Sequence, residues 1–174
     1  REFQKDALIT PAVAPHAVYT NDAASLTRSR DLARTYNVPL VIHLAETEAE
    51  MPMSLERHKA RPVAALEALG VLTGRVIAAH GIWIQPEEIQ LLKKRGVGIA
   101  HNPESNMKLA SGTAPVPAYL KAQVSLGLGT DGAASNNDLD MFEAMRVAAL
   151  LHKLQTMDPR VVSAQTPLEM ETMG

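Results

Sequence analysis

The chain has 174 residues, 46% of them hydrophobic and 21% charged, which is enough for one folded domain with a substantial core. A formal net charge of −2 and an aromatic content of 3% give no basic footprint or base-stacking platform for nucleic acid, and no attraction to an anionic membrane. The absence of cysteine excludes disulfides and thiolate metal ligands and fits a cytoplasmic setting; no apolar run has the length of a membrane span, and no signal peptide opens the chain.

Residues 1–6 read as the interior of a longer polypeptide. Residues 8–15 read as a first strand, interrupted by prolines and ending at His16. Asn21 or Asp22 caps a helix expected over 23–36, with Leu26, Leu32 and Ala33 on its apolar side and Asn37 at its stop. Residues 39–42 begin a second strand that ends at His43. The polar stretch 46–61 reads as a loop with some helix, and Pro62 starts a short helix that Gly70 stops. Residues 76–80 (VIAAH) and 97–101 (VGIAH) are two more strands. Between them lies a helix over 86–95 with Ile89, Leu91 and Leu92 inward and Gly96 at its end. Residues 102–106 are dense in turn-formers. A last strand runs over 124–131 (VSLGLGTD), followed by the longest amphipathic helix over 138–154 and one more helix beginning at 166–169.

Five strand–helix units with no composition break predict an α/β fold with parallel strands, whose crossovers need the helical intervals seen here. Reactive residues at successive strand ends are the sequence image of an α/β barrel. An open doubly wound sheet satisfies the same alternation, but no Gly-rich phosphate loop follows an early strand. There are too few strands to close a barrel.

His43 and Glu46 form the sharpest chemical pair. A neutral imidazole is a good zinc ligand, and a carboxylate nearby that does not bind the metal can move protons. The plainer reading is a strand-end histidine with a capping glutamate. His80 stands at the same place in the next unit, before Gly81, and its weight comes from that repetition. His101 repeats the placement again, but its turn-rich sequel suggests a loop-organising role. Asp131, ending an apolar strand, needs a cation or several donors to stay charged; the plainer reading is an Asp-Gly turn. Residues 133–138 are small and polar beyond what a turn requires, and suit a pocket lining or a helix cap. His16 extends the pattern one unit back. His58 and His152 read as solvated surface residues.

These motifs resemble the amidohydrolase superfamily, and within it the 5-methylthioadenosine/S-adenosylhomocysteine deaminases and their s-triazine hydrolase relatives. The matching stretches are APHAVYT at 14–20, IHLAET at 42–47, AAHG at 78–81, HNPESNMKLASG at 101–112 and GTDGAASNNDLDMF at 129–142. The resemblance implies a partial TIM (β/α)8 barrel made of strands four to eight, without the N-terminal strands, the β-sandwich and the final elements. It implies His43 and Asp131 as metal ligands, with Asp131 also taking a proton from the attacking water. Glu46 would protonate a purine ring nitrogen, His80 would hold the water, and His16, Glu46 and Ser135 would touch substrate. The implied metal is zinc, or another divalent metal such as iron. The implied reaction replaces the 6-amino group of an aminopurine nucleoside by oxygen. A guanine or s-triazine amino- or chlorohydrolase is the alternative within the superfamily. Because no HxH pair occurs in the chain, the rival of another class is a non-catalytic half-barrel that self-associates or binds a partner. The expected partners are a small aminopurine or triazine, a second copy or a missing N-terminal half, and neither nucleic acid nor membrane.

Overall fold

The computed structural model describes residues 8–173, so the reading of residues 1–6 lies outside the described residues. Its centre is a four-stranded parallel sheet in the order β1-β2-β3-β4, with β1 Leu40–Leu44, β2 Val76–His80, β3 Gly98–His101 and β4 Leu126–Leu128. Each strand neighbours the next in sequence, and each crossover is helical, as parallel pairing demands.

Residues 8–15, expected as a strand, form only one parallel bridge beside β1, Val13 to Leu40, and a second follows just beyond them, Ala17 to His43. Pro11 and Pro15 lack the backbone donor that a continuous ladder needs, so pairing is confined to the positions around them.

The helices follow their local signals. Helix α1 (Ala23–Tyr36) starts where the Asp22 carboxylate accepts from the Ser25 N–H at 2.7 Å. It stops where Asn37 turns left-handed at φ 52°. The polar stretch contains α2 (Glu50–His58), and α3 (Pro62–Ala68) has its proline in the first turn. Helix α4 (Pro86–Arg95) opens on a capping box between Gln85 and Glu88 and ends at left-handed Gly96. Two short helices interrupt segments with no helical expectation: α5 (Pro103–Lys108) and α6 (Val116–Lys121). After α7 (Ala133–Asn136), the longest described helix, α8 (Met141–Thr156), is capped by Asp140 rather than Asp138. Helix α9 (Gln165–Thr172) closes the described chain.

One face of the sheet is sealed. Leu40, Ile42 and Leu44 of β1 alternate inward with period two and join Leu26, Leu66 and Leu92 in the core. The opposite face is open. Ile77 is 41% exposed, and a groove of about 560 Å³ runs along this face past Ile77, Gly98, Ala100 and Gly127. Leu32, expected inward, is 48% exposed on α1, whereas Leu26 and Ala33 are buried.

Candidate active site

The parallel sheet carries His43, His80, His101 and Asp131 to one end, because each lies at or just beyond the C-terminal end of its strand. The Ala17–His43 bridge sets His16 beside them. The His16 and His43 rings lie 5.0 Å apart, and the His43 and His80 rings stack at 5.5 Å with 20° between planes.

By strict alternation His80 would share the helix side with Val76 and Ala78. Its φ of 71° breaks the strand there. Positive φ in a non-glycine residue is strained, and such positions cluster where a structure re-aims a side chain. Ala45 (φ 51°) and Asp131 (φ 64°) repeat the device after β1 and β4. Gly81 (φ 56°) follows His80, and an added Cβ there would stand 2.9 Å from the Tyr119 hydroxyl, which donates to the Gly81 carbonyl at 2.6 Å. A glycine is required at that close approach.

Hydrogen bonds assign the protons. The His43 Nδ1 lies 2.7 Å from the His16 carbonyl, which can only accept, so Nδ1 carries the proton and Nε2 keeps a free lone pair. His80 is oriented the same way, its Nδ1 donating to Asn106 Oδ1 at 2.8 Å. His16 Nδ1 donates to Thr20 Oγ1 at 2.9 Å, since the Thr20 hydroxyl proton goes to the Ala17 carbonyl. In this tautomer the neutral rings would present three Nε2 lone pairs at one end of the sheet.

Two carboxylates face them. His80 Nε2 is 3.7 Å from Glu46 Oε2 and 4.0 Å from Asp131 Oδ2. Glu46 Oε1 accepts from the Ser111 hydroxyl at 3.2 Å, and Ser111 is itself held through its carbonyl by Trp83 Nε1 at 2.8 Å. Partial burial pushes the Asp131 carboxyl up, but donation from Ser105 at 2.6 Å and from the Gly132 N–H at 2.7 Å, with the Ser135 hydroxyl and His80 nearby, outweighs it and holds Asp131 below the ordinary carboxylate value. Ser135 lies on α7, its hydroxyl donating to the Gly132 carbonyl at 3.0 Å. Asn136 ties α7 to Glu104 of α5 at 3.1 Å.

For a divalent metal, the fit is partial. His43 offers Nε2 in the ligating tautomer, and Asp131 is an ionised oxygen donor, a set that suits zinc. Among the described residues no group of three or more His, Cys, Asp or Glu side chains is arranged to hold an ion.

Two histidines correct the sequence reading. His152, expected on the solvated surface, is fully buried on α8, with its Nε2 3.1 Å from the Nε2 of His101, also fully buried. His58 is half-buried, its Nε2 reaching the Val18 and Asn21 carbonyls at 3.0 and 3.1 Å. His101 thus turns into the β3–α8 packing and away from the cluster. Signals that sequence reasoning passed over are Ser105, Asn106 and Ser111, all in the HNPESNMKLASG stretch. Its unusual polar density just after a strand was the available clue.

The buried pair carries a pH signature. Burial is the main cause that lowers both rings, His101 to about 3 and His152 to about 4. Their unfolded value is about 6.5. Both are depressed on folding, so their contribution is complete above about pH 6.5 and is lost as pH falls toward the folded values, about 4 for His152 and about 3 for His101. The slope is about 1.4 kcal/mol per pH unit per ring. Urea unfolding at pH 7.5 and 5.0 is expected to differ by about 2 kcal/mol per ring. Ring nitrogen shifts should show both imidazoles neutral in the folded state at pH 5. A ring titrating near 6.5 would contradict the assignment.

Residues 1–174 match the sequence profile described as the amidohydrolase family. The chain belongs to the amidohydrolase family. This amidohydrolase is 50% identical over 172 residues, 99% of its length, to a 5-methylthioadenosine/S-adenosylhomocysteine deaminase of Syntrophobacter fumaroxidans. It superposes with a TM-score of 0.95 on the crystal structure of an adenosine deaminase from Xanthomonas campestris with bound zinc, 44% identical, over 98% of this chain and 39% of that one. It also superposes with a TM-score of 0.88 on atrazine chlorohydrolase from Arthrobacter aurescens complexed with zinc, 27% identical, over 98% of this chain and 40% of that one. The amidohydrolase chain spans 39% of the length of its Syntrophobacter relative. Its sheet is accordingly part of a TIM-type barrel, an α/β fold, with the open face where the rest of the barrel interior would lie.

Proposed function

We propose that this chain supplies strands four to eight of a metal-dependent barrel deaminase acting on an aminopurine nucleoside of the 5-methylthioadenosine or S-adenosylhomocysteine type. The observation that carries the reading is the convergence of His43 Nε2, His80 Nε2, Glu46 and Asp131 at the C-terminal end of one parallel sheet. That end is where barrel enzymes place their chemistry.

His43 and Asp131 would hold a divalent metal, zinc by preference or iron. When bound, such a metal would lower the pKa of a water to about 7 and polarise the reacting group. The further ligands would come from outside this chain. His80 Nε2, unprotonated, accepts a hydrogen bond from the attacking water and aims it at the amino-bearing ring carbon. An aminopurine is a poor electrophile until the adjacent ring nitrogen gains a proton, and Glu46 delivers it. Asp131 takes the water's proton and passes it to the departing amine, so that water plus aminopurine becomes oxopurine plus ammonia. His16 and Ser135 flank the substrate. A cytoplasmic setting fits the cysteine-free composition, and no helix among the described residues is long and apolar enough to cross a membrane. The triazine and guanine alternatives would use the same cluster with a different pocket. The higher identity to the nucleoside deaminases favours the purine reading.

A chimera in which this chain replaces the matching segment of the Syntrophobacter relative tests the proposal. It should bind about one zinc and release ammonia from S-adenosylhomocysteine or 5-methylthioadenosine. Zinc-loaded chimera that spares every aminopurine nucleoside while hydrolysing guanine or a chlorotriazine would transfer the function to the alternative.

The chain alone is expected to behave differently. Its open sheet face and the exposed apolar residues of α8, including Phe142 at 78% and Leu154 at 73%, leave surface that water does not favour. The β1 edge is only partly covered by the Val13 and Ala17 bridges. With two metal ligands, the isolated chain should self-associate, bind zinc weakly and release no ammonia. Light scattering that shows a stable monomer, with deaminase activity in the same sample, would refute this. Intact mass must exclude a co-purified N-terminal piece.

A further inference from the structure

We infer that Glu50 is a positioning residue for Glu46: its buried carboxylate ties down the backbone turn that aims Glu46 at the strand-end cluster. Glu50 is the first residue of α2 and only 2% exposed. Its Oε1 accepts from the Glu46 N–H at 2.8 Å and from the Thr47 N–H at 3.1 Å. Its Oε2 is buried with no partner.

Such an arrangement is costly. A buried carboxylate with an unsatisfied oxygen forfeits hydration, and here burial pushes the Glu50 carboxyl up despite the two backbone bonds, with the Glu46 charge adding to the rise. Neither bonded amide belongs to a helix or strand; both lie in the turn that joins β1 to α2. That turn is strained, because Ala45 has φ 51° without being glycine. It is held from both sides. The Ala45 carbonyl accepts from the Ile82 and Trp83 N–H groups at 3.1 and 2.9 Å, and Glu50 takes the next two amides. The Glu46 side chain is then fixed at its tip by Ser111. Backbone and carboxylate are therefore clamped independently, which suits a group that must meet one ring nitrogen, since about 1 Å of misplacement costs on the order of 100-fold in rate.

The kinetic part of this inference rests on the deaminase reading; the clamp itself does not. Glu50→Ala removes the acceptor, whereas Glu50→Gln keeps an oxygen for both amides and removes only the charge. In this chain, hydrogen exchange at the Glu46 and Thr47 amides should be roughly tenfold or more faster in Glu50→Ala, with β2 and β3 amides unchanged. It should stay within about threefold of wild type in Glu50→Gln. In the chimera, Glu50→Ala should lower kcat at least roughly tenfold, with KM and zinc content unchanged, and Glu50→Gln should restore it. Persistent amide protection in Glu50→Ala overturns the inference, as does an unchanged kcat in an active chimera. If Glu50→Ala does not fold, Glu50→Gln decides alone: retained protection and kcat support the clamp, and their loss overturns it. A wild-type chimera without deaminase activity would remove the functional reading, while the exchange measurement would still decide the clamp.

Discussion

Glu46→Gln in the chimera is expected to keep its zinc and lose deamination by at least roughly 100-fold in kcat, the scale of a positioned general acid. Gln matches Glu in size and can still accept from the Ser111 hydroxyl, so the turn and the pocket survive. What disappears is a transferable proton on the atom that faces the cluster, Oε2, 3.7 Å from His80 Nε2. The loss should fall on kcat rather than KM, because proton delivery is realised in the transition state. Turnover of S-adenosylhomocysteine by Glu46→Gln at near wild-type rate would leave Glu46 without an acid role. Loss of zinc in the same variant would mean that the residue belongs to the metal shell instead.

His43→Ala should lose metal and activity together. Its Nδ1 donates to the His16 carbonyl, which leaves Nε2 as a lone-pair donor of the kind a metal takes. Of the two ligands this chain would contribute, it is the only nitrogen, and a site that loses one of its protein ligands holds zinc less firmly. Zinc should fall from about one per chimera to near none, with ammonia release at background. Added zinc at high concentration should recover little. Full zinc content in His43→Ala would show that the ring only stacks between His16 and His80.

Much of the scaffold is legible in local signals. Asp22 and Asn37 bound α1, Pro86 and Gly96 bound α4, and VIAAH is a strand over its whole length. Caps and strand alternation are decided within a few residues, and neighbours in sequence suffice to read them. Helix α5 was hidden because Asn-Pro is both a turn signal and a helix start, and only hydrogen bonds made further on distinguish the two. The first strand failed for a related reason: its apolar residues suit a sheet, but its prolines reduce the ladder to isolated bridges.

The candidate site divides along the same line. The sequence by itself determined the strand-end placement of His16, His43, His80 and Asp131, because in a parallel α/β unit the residue that ends each strand arrives at the same edge of the sheet. It also determined the position of Glu46 three residues beyond His43. The tertiary structure alone decided which of these side chains meet. His101 occupies the same sequence position as His80 yet turns into the core, because α8 brings His152 within 3.1 Å of it, from 51 residues away. Glu50 lies in a stretch that reads as polar loop, yet it is among the most buried charged residues described. Burial and side-chain direction depend on which elements pack together after the crossovers close, and no local pattern encodes that partner.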